Sequence, residues 1–123
     1  MLVGRGAREP GWAAPMERIA MQLRSGGERV ELAFLEHLEP ELGKALDMLC
    51  RDGIRNIRVV PVILGAGGQV LDGVAQRVDT ARGVHAEARI AVAPPLGGLP
   101  KVSSAIADAI ALRITPASKA GGE

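Results

Sequence analysis

The segment Ile57 to Val70, IRVVPVILGAGGQV, constrains the fold more than any other part of the chain. From Ile57 to Leu64 every residue except Arg58 is apolar or proline, most are β-branched, and they do not alternate with polar ones. A strand buried on one face would alternate, so this one is expected to be covered on both, as in a parallel sheet between helices. It runs into a Gly-rich loop, and in open α/β sheets the loops at the carboxyl ends of the strands hold the ligand. Gly65 to Gln69 is therefore the first candidate for a site, with Gly67 and Gly68 letting backbone approach a bound group closely.

The rest of the chain supplies matching elements. Met1 to Val3 is a short apolar strand leading into the turn Gly4-Arg5-Gly6-Ala7-Arg8. From Pro10, residues Trp12, Met16, Ile19, Ala20 and Leu23 fall at helical spacing, with Pro10 suited to the first turn and Gly26-Gly27 to the stop. Val30 to Glu36 reads as a second strand. Glu39-Pro40 opens a helix with the stripe Leu42, Ala45, Leu46 and Leu49, stopped at Gly53. Val70, Leu71, Val74 and Val78 mark a third helix, weakened by Gly73. Ala86 to Ala93 reads as a fourth strand, and Val102, Ile106, Ala109 and Ile110 as a fourth helix. This βαβαβαβα order predicts a three-layer α/β/α lobe with a four-stranded parallel sheet, flavodoxin-like in form. A single domain over residues 1–115 and a disordered polar tail over 116–123 are expected. Pro61 lacks a ladder donor inside the third strand, so a bulge or a one-sided pairing must absorb it.

Composition narrows the function classes. A chain of 123 residues, 47% hydrophobic, holds one core. A net charge of +1 gives no field for nucleic acid or membrane, and Trp12 and Phe34 alone make no base-stacking platform. The single Cys50 excludes an internal disulfide and falls on an apolar helix face, where a buried thiol is expected. No apolar run reaches the ~20 residues of a membrane span, and no basic-then-apolar leader opens the chain, so a cytoplasmic protein is expected. Gly4-x-Gly6 lacks the third glycine of a dinucleotide fingerprint, and no Walker lysine follows a glycine loop.

Over about residues 2–112 the chain resembles the small sirohydrochlorin cobaltochelatases, single-lobed relatives of the ferrochelatase-like enzymes. LVGRGAREPGWAAPMERIA is similar to that family's opening strand, turn and helix, VELAFLEHLEPELGKAL to its second strand and helix, and IRVVPVILGAGGQV to its third strand and loop. The resemblance implies a divalent metal, cobalt or another, as substrate with none tightly bound, and a sirohydrochlorin-like tetrapyrrole as partner. It also implies a second lobe across the cleft, in a homodimer or a pairing with another chelatase lobe. In the family the first turn reads Gly-His-Gly-Ser and the third loop ends in Gly-Gly-His, and those histidines are its implied ligands and bases. The matching positions here are Arg5 and Gln69, the serine position is Ala7, and the nearest residue to a family Asp in the third helix is Asp72.

These departures change the chemistry. Metal insertion needs a group that holds the ion as it sheds water and one that accepts two pyrrole protons, and a neutral imidazole does either. Arginine has five donors and no acceptor, and a glutamine amide neither titrates nor favours transition metals. The catalytic candidates are thus Glu36, which keeps its family position, with Arg5 and Gln69. Arg5 and Arg8, with Gly67 and Gly68 and with Arg77 or Lys101 beside them, are candidates to bind the ring carboxylates. Glu36 and His37 are the candidate metal ligands, and share an ion only if the strand has ended before them. His85, in a turn at the opposite rim, is assigned no role. The resemblance therefore implies a sirohydrochlorin cobaltochelatase of cobalamin biosynthesis with impaired insertion. A tetrapyrrole-binding module or partner subunit without insertion is the alternative.

Overall fold

The computed structural model describes residues 1–65 and 68–119. The elements are β1 (Leu2–Gly4), α1 (Ala14–Ser25), β2 (Leu32–Phe34), α2 (Leu42–Arg51), β3 (Asn56–Pro61), α3 (Gly68–Val84), β4 (Arg89–Val92), a 3₁₀ turn (Leu96–Gly98) and α4 (Pro100–Lys119). The four strands lie in the order β2-β1-β3-β4 and every pairing is parallel. The α/β architecture expected from the sequence is thus the one observed.

Two apolar layers flank the sheet. On one face Val3, Ala33, Val59 and Ile90 pack with Leu42 and Leu46 of α2 and Val74 and Val78 of α3. On the other, Leu2 and Phe34 pack with Met16 and Ala20 of α1, and Trp12 meets Phe34 edge to face at 6.4 Å. Cys50 is buried among the α2 residues, and burial pushes its thiol up from the usual range.

Pro61 ends β3, and the geometry explains why it is tolerated. The amides of Val60 and Val62 donate to Met1 and Val3 of the β1 side at 2.8 Å, so the position between them points its missing donor toward β4. There the register closes at Val59 opposite Val92, and no ladder bond to β1 is lost.

Several boundaries differ from the sequence expectation. Pro10 lies ahead of α1, and Pro15 takes the early helical position instead. The second strand is Leu32–Phe34 rather than Val30 to Glu36, because β1, the strand it pairs with, offers three residues. The fourth is Arg89–Val92 rather than Ala86 to Ala93; it begins where β3 begins, and the Ala88 amide turns back to His85 O at 3.0 Å. α4 runs on to Lys119, past the expected domain end at 115, while 120–123 lie outside the described residues. None of its side chains from Pro100 to Ile114 is buried, Val102 and Ile106 being half-covered and the rest exposed.

Candidate active site

The topology fixes where a ligand can enter. The chain passes from β1 to β2 on one side and from β3 to β4 on the other, with α1 and α3 on opposite faces. The loops after β1 and β3 therefore part between two adjacent strands, which is where open α/β sheets bind ligands. A cleft of about 490 Å³ lies there, lined by Arg5, Leu35, Glu36, Gly68, Gln69, Val70, Gly73 and Arg77.

Three of the sequence candidates, Arg5, Glu36 and Gln69, thus share one cleft. Gly68 lines it as well, whereas Gly67 lies outside the described residues. Arg5 and Glu36 meet because the loops after β1 and β2 stay zipped beyond the strands: the Leu35 amide donates to Gly4 O at 3.1 Å and the Glu36 amide to Arg5 O at 3.0 Å. Gly6 makes this possible. Its φ is +98°, and a Cβ there would sit 1.7 Å from Glu36 O. Arg5 Nε then lies 3.5 Å from Glu36 Oε1, with both side chains largely open to solvent.

β2 ends at Phe34, so the condition for Glu36 and His37 to act on one ion is met. His37 has a left-handed backbone, φ +66°, and its Nε2 stands 3.8 Å from Glu36 Oε1. Arg8 Nε donates to His37 Nδ1 at 3.3 Å. With Nδ1 accepting, the proton of the neutral ring is on Nε2, toward Glu36. The ring's single lone pair is engaged by Arg8 in this arrangement. Arg8 itself does not line the cleft, and neither do Asp72 and Lys101. Among the described residues no group of three or more His, Cys, Asp or Glu side chains is placed to hold a metal ion, so Glu36 and His37 form a pair.

Arg77 lines the cleft but is already engaged. It bonds Glu41, Gly73 O at 2.9 Å and Leu35 O at 3.4 Å, bracing α3 against the end of β2 and the start of α2. Glu41 also caps α2 by accepting from the Lys44 amide at 3.1 Å. Burial works to raise the Glu41 carboxyl, but Arg77 and the Lys44 and Gly43 amides outweigh it and hold the carboxyl below the usual range. Arg77 is therefore a brace within the lobe where the sequence had offered it to a ring carboxylate. At the opposite rim His85 pairs with Asp47 at 2.7 Å, joining the ends of α2 and α3.

The sequence reading missed the contribution of Leu35, Val70 and Gly73 to the cleft wall. A signal was present: Gln69, Gly73 and Arg77 recur every fourth residue and so share one face of α3. Gly73 is also a packing site, since a Cβ there would come within 3.3 Å of the Arg77 guanidinium and 3.7 Å of Leu35.

A four-stranded parallel lobe with a rim cleft at its switch point, holding an arginine and a carboxylate from the loops after β1 and β2 and a glutamine from the first turn of α3, defines an α/β protein that takes its ligand at the ends of parallel strands. The chain belongs to the CbiX family, whose model matches residues 1–112. It is 28% identical over 97 residues to the sirohydrochlorin cobaltochelatase of Sulfurisphaera tokodaii, covering 79% of this chain and 78% of that one. Its fold superposes on a cobalamin (vitamin B12) biosynthesis CbiX protein of Marinobacter aquaeolei VT8 with a TM-score of 0.80 at 25% identity, over 92% and 93% of the two chains. It also superposes on SirB of Bacillus subtilis, solved with Fe3+, with a TM-score of 0.78 at 20% identity. That match covers 96% of this chain and 48% of SirB.

Proposed function

We propose that the chain binds a sirohydrochlorin-like tetrapyrrole at the rim cleft and inserts a divalent metal, cobalt or a related ion, as a sirohydrochlorin cobaltochelatase of reduced power. The observation that carries this reading is the meeting of Arg5, Glu36 and Gln69 at the switch point of a CbiX-family lobe. Insertion exchanges one dication for two pyrrole protons, so the site must offer an acceptor. Glu36 is the carboxylate on the cleft wall that can take a proton, its Oε1 lying 3.5 Å from Arg5 Nε and 3.8 Å from His37 Nε2. Arg5 supplies forked donors for a ring carboxylate. Neither Arg5 nor Gln69 adds a base, so the reaction is left with one carboxylate where two proton acceptors are needed.

The cleft is open on the side away from the lobe, and a second lobe, from another copy or another chelatase chain, closes it. This reading makes the protein a cytoplasmic lyase. No helix among the described residues is long and apolar enough to cross a membrane.

A specific observation favours the alternative of a binder without insertion: the lone pair of His37 is taken by Arg8 and the charge of Glu36 is countered by Arg5. Two titrations decide. Cobalt entry into sirohydrochlorin, followed in the visible spectrum, is expected to exceed the spontaneous rate and to fall about 100-fold in Glu36→Gln, the scale of a lost general base. Metal-free sirohydrochlorin is expected to bind both forms alike. Binding with insertion no faster than the spontaneous rate assigns the chain to the alternative, and failure to bind the ring overturns both.

A further inference from the structure

His37 meets a donor where a metal ligand would meet an acceptor. A histidine that ligates through one ring nitrogen donates the N–H of the other to a carboxylate, a carbonyl or water. At His37 the partner of Nδ1 is Arg8 Nε, a donor, at 3.3 Å. The proton of the neutral ring is thereby kept on Nε2, the nitrogen 3.8 Å from Glu36 Oε1. Two ligand bonds of about 2.0–2.2 Å each to one ion span a separation of that order. The pair is spaced for a shared ion and closed to it by a hydrogen.

The backbone fixes the histidine, while the arginine is held loosely. The Leu38 amide donates to Glu36 O at 2.8 Å and closes a tight turn about His37, whose φ of +66° is rare for a residue with a side chain. Such strain persists only where the surroundings impose it, and it gathers at functional sites. Arg8 is exposed and forms no ion pair among the described residues; its bond to His37 joins a cation to a neutral ring. A carboxylate offers the same guanidinium parallel charge-assisted bonds, which are stronger. Sirohydrochlorin carries carboxylates around its edge, and Arg8 shares with the cleft residue Arg5 the turn that follows β1.

We propose that Arg8 is a latch on His37, and that a carboxylate of the bound tetrapyrrole draws it off and so makes the imidazole available to the metal ion. With Arg8 gone, Nδ1 is free to carry the proton. Nε2 releases its own to water as the ion arrives and Nδ1 takes one up, so the ring stays neutral. The Nε2 lone pair and Glu36 Oε1 then hold the dication together. Once the ion passes to the macrocycle, the carboxylate is free to accept a pyrrole proton. Arg8 is a positioning residue in this scheme, acting through the tautomer of His37. The inference rests on the proposed function and adds to it the regulation of the site by its own substrate.

Nitrogen NMR of the imidazoles reads the latch directly, because the chain has only two histidines and the His37→Gln spectrum assigns the signals by loss. At about pH 8, above the ordinary imidazole value, His37 of the free chain is expected to carry its proton on Nε2. Saturation with metal-free sirohydrochlorin is expected to shift the Nδ1 resonance, and Arg8→Ala to shift it the same way without the ring. Zinc ion alone, a diamagnetic stand-in for cobalt, is expected to bind Arg8→Ala at least about tenfold more tightly than the unaltered chain and through Nε2, the scale on which partners of a ligating histidine act. Adding His37→Gln to Arg8→Ala is expected to abolish that gain. Equal zinc affinity with and without Arg8 overturns the latch, and so does a gain that survives the loss of His37, since it then reflects only the missing cation. Failure of sirohydrochlorin to bind in an absorbance titration overturns both readings. A ring that binds and leaves His37 unmoved overturns the latch alone.

Discussion

Arg5 Nε stands 3.5 Å from Glu36 Oε1 at the mouth of the sheet, and the pair is held by backbone rather than by its own attraction. The side chains are 66% and 46% exposed, where such a pair contributes about 0–1 kcal/mol. The loops that carry them are joined by the Glu36 amide to Arg5 O bond and by the close approach at Gly6. The guanidinium can therefore be removed for its function without disturbing the fold.

Arg5→Ala is expected to change stability by less than about 1 kcal/mol in urea melts. Its affinity for metal-free sirohydrochlorin is expected to fall about tenfold, the scale of one lost charge-assisted hydrogen bond. Unchanged affinity in an absorbance titration would remove Arg5 from the binding surface.

Replacing Arg5→His and Gln69→His together places two titrating imidazoles on the cleft wall and removes the cation beside Glu36. Cobalt insertion is expected to rise by at least about 100-fold, as proton acceptors are added. A double variant that binds the ring but inserts no faster than the natural chain would show that neither position limits the reaction.

Gly6→Ala tests how the site is built. A side chain at φ +98° is strained, and its Cβ would enter the space of Glu36 O. The expected loss is about 2 kcal/mol or more, with weakened ring binding in whatever remains folded. Gly11→Ala, also at positive φ but with nothing within 4 Å, is the comparison that isolates the clash from the backbone strain.

Acid should loosen the brace between α2 and α3. The Glu41 carboxyl is held below its usual range in the fold, so its contribution is present above the unfolded value, about pH 4.3, and is lost as pH falls through the folded one. Asp47 has the same sign, held down first by the hydrogen bond from His85 and then, against some desolvation, by Arg51. Glu41→Ala is expected to cost about 1 kcal/mol or somewhat more at pH 7, through the lost cap, and the gap to the natural chain should narrow by pH 3. A constant gap across that range in thermal melts would mean the carboxylate charge does not contribute.

Much of this was legible along the chain. The unalternating run at Ile57 marked a strand with helices on both sides, and the glycine stops at Gly26 and Gly53 bounded the first two helices where the structure ends them. Arg5, Glu36 and Gln69 were chosen by position at strand ends, and the sheet gathers them into one cleft. Other features were not legible because they depend on neighbours remote in sequence. Strand lengths at β2 and β4 are set by the partners they pair with, not by their own apolar runs. Arg77 looked like a free cation until α2 brought Glu41 to it.

The sequence by itself determined the order of elements and the chemical character of the cleft, because both follow from residue type and spacing: branched apolar runs make strands, and an arginine or an amide has the same donors wherever it stands. Only the tertiary structure decided which of those groups remain available. Arg77 is bonded to Glu41 and two carbonyls, and His37 gives its lone pair to Arg8, each because a contact between segments far apart in the chain outweighs the local pattern.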